Sequence, residues 1–326
     1  MAVRVGINGF GRIGRSFTRA ILARGEQANV ELVAVNDPFG DAETMAFLLK
    51  HDSVGRTLPN EIKHDAGGFS IDGREVKKLE VREPSEIPWG ENGVDVVIES
   101  TGLFTSREKA GAHLSGGAKR VIISAPAGDA DATICMGVND DAYDAKQHTV
   151  ISNASCTTNC LAPLAKVLND SFGIAQGFIT TVHAYTSDQQ LQDQATATRS
   201  GKPDLRRMRA AALNIVPAST GAARAIGEVM PELKGKLDGM AMRVPVPDGS
   251  VTDLVCVLEK SATADDVNAV FREAAASKHW QGILEYTEDP IVSSDIVESP
   301  YSAIFDSGLT MVMENRMVKV VAWYDN

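Results

Sequence analysis

The chain has 326 residues, 44 % of them hydrophobic, with 43 acidic against 32 basic side chains and a formal net charge of −11. That balance excludes broad nucleic-acid or anionic-membrane binding, which needs a basic face, and leaves any anionic substrate to a few local arginines. No apolar run approaches the ~20 residues that cross a bilayer, and the opening Met-Ala-Val-Arg-Val lacks a signal-peptide core. Four scattered cysteines, Cys135, Cys156, Cys160 and Cys256, are too few for a disulfide scaffold, so reduced thiols in a cytoplasmic setting are expected.

In chain order, the run from Val3 to Ile7 reads as a strand, Asn8 to Gly14 as a turn, and the following residues to Ala23 as a helix. Val30 to Val35 reads as the next strand, ending at Asn36-Asp37. Residues 56–82 read as hairpin decoration with a turn at Asp72-Gly73. Two more short β-rich runs, Val94 to Ile98 and Arg120 to Ile123, stop before glycine or proline. Short apolar strands alternating with helices imply α/β architecture with a doubly wound parallel sheet, a Rossmann domain.

The texture changes after about residue 155. Val251 to Glu259 alternates, setting Leu254, Cys256 and Leu258 on one face, and Thr263 with Asp266 can cap a helix carrying Val267, Val270, Phe271 and Ala274 on one stripe. An α+β second domain with a mainly antiparallel sheet is expected, with domains over residues 1–155 and 156–321. No internal repeat or linker separates them.

Gly9-Phe10-Gly11-Arg12-Ile13-Gly14 has the G-x-G-x-x-G spacing between a strand and a helix. Its glycines allow a tight turn and let backbone N–H groups approach a pyrophosphate at the positive end of the helix. Asp37 closes the second strand where a carboxylate accepts from ribose hydroxyls and repels a 2′-phosphate, which favours NAD over NADP.

Cys156 follows the strand-like Val150-Ile151 and precedes Leu161, Leu164, Val167 and Leu168 at helical spacing. It therefore sits near a helix N-terminus, where the dipole favours thiolate. Cys160 lies one turn deeper and reads as a packed thiol able to trap an oxidised Cys156. A metal is disfavoured because no second ligand pair stands nearby. A histidine at a strand end is commonly structural, but a thiol nucleophile needs a neighbouring base, and His183 at the end of Phe178 to Val182 has the best setting of the six histidines.

Asn8 to Gly14, Ser152 to Pro163, His183-Ala184-Tyr185-Thr186, Pro217 to Ala223 and Trp323 to Asn326 resemble, in order and across the whole chain, the phosphorylating glyceraldehyde-3-phosphate dehydrogenase family, in its bacterial form. The resemblance implies Cys156 as covalent nucleophile and His183 as its base, with glyceraldehyde 3-phosphate, inorganic phosphate and NAD as reactants. It implies Thr186 and Arg243 for the phosphate of the substrate, and Ser155, Thr157, Arg207, Thr220 and Gly221 for the attacking phosphate. On the cofactor side it implies Gly9, Gly11, Arg12, Ile13, Gly14 and Asp37, with Arg82 and Ser124 at the adenosine and nicotinamide halves and Asn326 at the carboxamide. A homotetramer is implied, and residues 322–326 are expected to return to the cofactor domain.

Two departures stand out. The stretch from Ser187 to Arg206 looks longer than the family's loop, and the sequence ends at Asn326 where relatives continue into a terminal helix. Alternatives are erythrose-4-phosphate dehydrogenase and a non-catalytic NAD-binding regulatory protein.

Overall fold

The computed structural model describes residues 2–195 and 203–326. Residues 196–202, the central part of the long Gln/Ala/Thr-rich stretch, lie outside the described residues. The chain divides into two compact units: Met1–Ile134 with Asp141–Ala154, and Cys135–Asp140 with Ser155–Asn326.

In the first unit, β1 (Val3–Asn8) leads through the glycine turn into α1 (Arg12–Arg24), and β2 (Val30–Asn36) into α2 (Ala42–Lys50). A two-residue ribbon, β3 (His51–Asp52) with β4 (Arg56–Thr57), is followed by β5 (Ile62–Asp65), β6 (Gly68–Ile71) and β7 (Arg74–Leu79). Then come β8 (Val96–Glu99), α3 (Arg107–Gly111), β9 (Arg120–Ile123), β10 (Ala132–Thr133) and β11 (Val150–Ser152). The strands form one nine-stranded sheet in the order β10-β11-β9-β8-β1-β2-β7-β6-β5. Every pairing from β10 to β7 is parallel, and only the β6 hairpin runs against its neighbours.

That hairpin turns at Asp72 (φ 49°) and Gly73 (φ 80°), both left-handed as a two-residue primed turn requires. The parallel strands read as near-continuous apolar runs because both faces are buried, with Ile7, Val35, Leu49 and Phe69 on one side and Val97, Val121 and Trp89 on the other.

The second unit opens with α4 (Cys156–Phe172) and β12 (Ile174–Ala184). It continues through β13 (Val216–Ser219), α5 (Ala222–Val229), β14 (Leu237–Val244), β15 (Ser250–Leu258) and α6 (Ala264–Ala276) to β16 (Leu284–Thr287), β17 (Ala303–Asp306), β18 (Met311–Met313) and β19 (Met317–Tyr324). The sheet order is β13-β14-β12-β15-β19-β17-β16, with β18 on β19. Its pairings are mainly antiparallel, the exceptions being β12 with β14 and β16 with β17.

Along β15 the even positions Ser250, Thr252, Leu254, Cys256 and Leu258 are buried against α4, which also lies on β17 and β19. Leu161, Leu164 and Leu168 of α4 are fully buried, and Phe271 of α6 stacks on Phe305 at 3.9 Å. The Thr263/Asp266 capping box opens α6 as the spacing predicts.

The last residues pair within the second unit. Tyr324 and Trp323 pair with Ser250 and Val251, and the Asn326 N–H donates to Asp248 Oδ1 at 3.1 Å, which anchors the end of the chain in the second sheet.

Candidate active site

Two strand-to-helix turns carry the predicted residues, one in each unit. In the first unit, Gly9 has a left-handed φ of 90°, and a Cβ there would lie 2.7 Å from the Thr101 backbone nitrogen. A Cβ on Gly14 would meet the Gly9 carbonyl at 2.4 Å, so both positions need glycine. Gly11, the N-cap of α1, has no atom near its missing Cβ, leaving open space at the positive end of the helix. Asp37 is held at the end of β2 by the N–H groups of Phe10 and Phe39, each at 2.9 Å. A turn stripped of side chains beside a fixed carboxylate fits a dinucleotide.

The flanking side chains take more particular positions. Arg12 pairs with Asp52 at 3.0 Å, while Ile13 is exposed on the first turn. The Arg82 guanidinium lies 5.6 Å from the Phe39 ring centroid. Ser124 gives both its N–H and its hydroxyl to the Glu99 carbonyl at 3.0 Å.

In the second unit, Ser155 is the N-cap of α4, its hydroxyl accepting from the Thr158 N–H at 3.1 Å. Cys156 is therefore the first helical residue. Its Sγ lies 3.4 Å from His183 Nε2. His183 is buried near the end of β12, on the same face as Thr181. The Nδ1 proton of His183 goes to the Ala184 carbonyl at 2.7 Å, which leaves the Nε2 lone pair turned to the thiol.

The parallel register of β12 with β14 sets Arg243 directly beside His183. Arg243 Nη1 lies 3.2 Å from His183 Nδ1 and donates to Thr186 Oγ1 at 2.8 Å and to the Ala184 carbonyl at 3.2 Å. Thr186 in turn donates to Asp188, and Arg207 closes the group by pairing with Asp188 and, at 3.2 Å, with Asp204.

Burial, and after it the Arg243 charge, lower the His183 pKa to about 4. Burial also pushes the Cys156 thiol up, against the pull of the Thr157 N–H and hydroxyl and of Arg243. Both shifts oppose the charged forms of the pair, against the helix dipole, which favours thiolate. At Asp188, burial opposes ionisation, but the Thr186 hydroxyl and the charges of Arg207 and Arg243 outweigh it and hold the carboxyl below its ordinary range.

Thr157 is buried, and its hydroxyl bonds Tyr324 Oη at 2.8 Å; the same oxygen lies 2.8 Å from the Thr181 hydroxyl. Thr220 and Gly221 lie where β13 turns into α5, one strand beyond Arg243, with the Thr220 hydroxyl accepting from the Ala222 N–H at 3.2 Å. Asn326 meets Ser250, whose hydroxyl also accepts from the Ala184 N–H at 3.0 Å. Cys160 is fully buried, its thiol against the Ala322 carbonyl at 3.8 Å and pushed up to about 12 by burial.

Asp188, Tyr324 and Ser250 were not singled out by sequence reasoning. Asp188 carried the faintest signal, two residues after Thr186; the other two look like ordinary strand residues.

Residues 3–107 match the family model described as the NAD binding domain of glyceraldehyde 3-phosphate dehydrogenase, and residues 155–326 match the model of its C-terminal domain. The chain is 58 % identical over 326 residues to the glyceraldehyde-3-phosphate dehydrogenase of Streptomyces coelicolor, covering 100 % of this chain and 94 % of that one. It is 61 % identical over 330 residues to the enzymes of that name from Mycobacterium avium and Mycobacterium tuberculosis, with the same coverage. Both halves of the fold and their characteristic turns agree with these matches: the chain belongs to the glyceraldehyde 3-phosphate dehydrogenase family.

Proposed function

We propose that the chain oxidises glyceraldehyde 3-phosphate with NAD and passes the acyl group to inorganic phosphate, with Cys156 as nucleophile and His183 as base. The observation that carries this reading is the 3.4 Å approach of Cys156 Sγ to an imidazole nitrogen whose lone pair is free to accept its proton. His183 takes the thiol proton as sulfur attacks the aldehyde carbon; the carbonyl electrons move to oxygen, which takes that proton back from the imidazolium, so that a thiohemiacetal forms and His183 is neutral again. NAD, when bound, supplies the two-electron acceptor for the hydride. His183 then removes the hydroxyl proton as the carbon is oxidised, leaving a thioester on Cys156. Phosphate attacks that carbonyl, the C–S bond breaks, and an acyl phosphate leaves.

Thr186 and Arg243, already joined, suit the phosphate of the substrate, since a guanidinium fork matches phosphate oxygens. Arg207, Ser155, Thr157, Thr220 and Gly221 are assigned to the attacking phosphate. On the cofactor side, Gly9, Gly11, Ile13 and Gly14 receive the pyrophosphate with Arg12 beside it, Asp37 the adenosine ribose, Arg82 the adenosine half, Ser124 the nicotinamide half and Asn326 the carboxamide.

Exposed apolar side chains of the second unit, among them Phe178 (72 %), Leu213 (82 %) and Ile215 (68 %), support assembly into a homotetramer, since monomers rarely leave such groups in water. A cytoplasmic location fits the free thiols.

NADH formation from glyceraldehyde 3-phosphate, followed at 340 nm with and without phosphate, tests the reading. Sustained turnover should need phosphate, and Cys156→Ser should abolish it while NAD still binds. A rate indifferent to phosphate, or activity retained without the thiol, overturns the assignment.

A further inference from the structure

Beneath the glycine turn of the first unit lies a set of buried polar side chains that the reaction above does not use. Glu99 ends β8 and is 1 % exposed; His113 beside it is 0 % exposed. Four donors converge on the Glu99 carboxylate. Asn8 Nδ2 at 2.6 Å and His113 Nε2 at 2.9 Å reach Oε2, while the Thr101 N–H at 2.8 Å and hydroxyl at 2.5 Å reach Oε1. A carboxylate removed from water needs such a full set of donors.

The direction of each bond is dictated from the rim of the set. The Val81 N–H donates to Asn36 Oδ1 at 2.9 Å, so Asn36 must turn its Nδ2 to the Val81 carbonyl at 2.9 Å and to Asn8 Oδ1 at 2.7 Å. Asn8 is thereby obliged to present Nδ2 to Glu99. From the other side, Trp89 Nε1 has only a proton to give and donates to His113 Nδ1 at 3.1 Å. The imidazole is then neutral, with its proton on Nε2, and donates to Glu99. Donors arrive from every direction, and an amide at position 99 would set its NH2 against two of them.

The location matters as much as the polarity. Asn8 and Asn36 close β1 and β2 and immediately precede Gly9 and Asp37. The Gly9 N–H donates to the Asn36 carbonyl at 2.8 Å. Thr101 is the group that leaves no room for a Cβ on Gly9, and the Glu99 carbonyl holds Ser124. The ladders run up to Asn8, Asn36 and Glu99, and beyond these last backbone pairs it is the buried side chains that tie the three strand ends together.

We propose that Glu99 is a positioning residue for the dinucleotide: its buried carboxylate, fed by Asn8, His113 and Thr101, holds the ends of β1, β2 and β8 in the arrangement that presents the Gly9 turn, Asp37 and Ser124 to NAD. This rests on the NAD-binding reading of the first unit.

Calorimetric titration of the full-length protein with NAD tests it. Glu99→Gln should raise the Kd for NAD about tenfold, with KM for NAD rising in step and kcat at saturating NAD falling less than about twofold. Alkylation of Cys156 in the absence of NAD should proceed at the wild-type rate. His113→Gln, whose carboxamide can accept from Trp89 and donate to Glu99, should keep the Kd within about twofold of wild type. A folded Glu99→Gln protein with an unchanged Kd overturns the proposal, whatever its melting temperature. Should that variant not fold, Thr101→Val removes one donor of the four and should raise the Kd about threefold; an unchanged value overturns the proposal equally. A wild-type chain that binds no NAD would overturn the parent reading instead.

Discussion

His183, the proposed base, shows how much of a side chain's character comes from its surroundings. Its residue type and place at a strand end are visible in the sequence; its proton affinity is not, because burial and the Arg243 charge lower the pKa to about 4 from about 6.5. The folded protein therefore disfavours the imidazolium. Above pH 6.5 neither state is protonated and the residue is neutral to stability; as pH falls toward 4 the unfolded chain takes up the proton first, and stability is lost. The loss should reach about 3 kcal/mol by pH 4, and His183→Gln should flatten that part of the stability–pH profile. Superimposable profiles for the two proteins would show that the imidazole keeps an ordinary proton affinity. Cys156 teaches the same lesson with the opposite sign. Its helix N-terminus is legible in Ser155 and the following apolar spacing, yet burial outweighs the dipole and raises the thiol.

At the scale of elements, periodicity and caps were readable because each depends on residues close in sequence. The alternation in β15, the primed turn at Asp72-Gly73 and the capping box of α6 all appear where local pattern puts them. Thr263→Ala removes two of that box's bonds, the hydroxyl to Asp266 Oδ2 at 2.7 Å and the Asp266 N–H to Thr263 Oγ1 at 3.1 Å. It should cost about 1 kcal/mol, read as a lower urea midpoint, while the Cys156 alkylation rate is unchanged. A midpoint equal to wild type would mean that the box is redundant with the packing of Val267 and Phe271. Registers between distant strands were not readable. Nothing in the sequence says that His183 stands opposite Arg243 and not Met242, and a slip of one residue would turn the guanidinium to the other face.

For the whole molecule, the division into a parallel and a mainly antiparallel sheet was legible from the change of texture near residue 155, whereas the strand partners of Trp323 and Tyr324 were not. Their pairing partners, 250 and 251, lie more than seventy positions earlier. Assembly is likewise a property of surface that only folding creates. If the proposed homotetramer forms, Phe178→Glu, which places a charge on an exposed apolar position of β12, should shift the light-scattering mass below that of the wild-type protein. A wild-type mass of one chain would end the oligomer proposal.

Tyr324 ties α4 to β12 through one hydroxyl, touching Thr157 next to Cys156 and Thr181 two residues before His183. It stands on β19, the final strand in chain order and an interior member of its sheet. During synthesis the ribosome releases Cys156 and His183 long before residues 317–324 emerge. Until then the Tyr324 hydroxyl cannot bridge Thr157 and Thr181. The tie between helix and strand is thus made by a phenol that follows both in the chain.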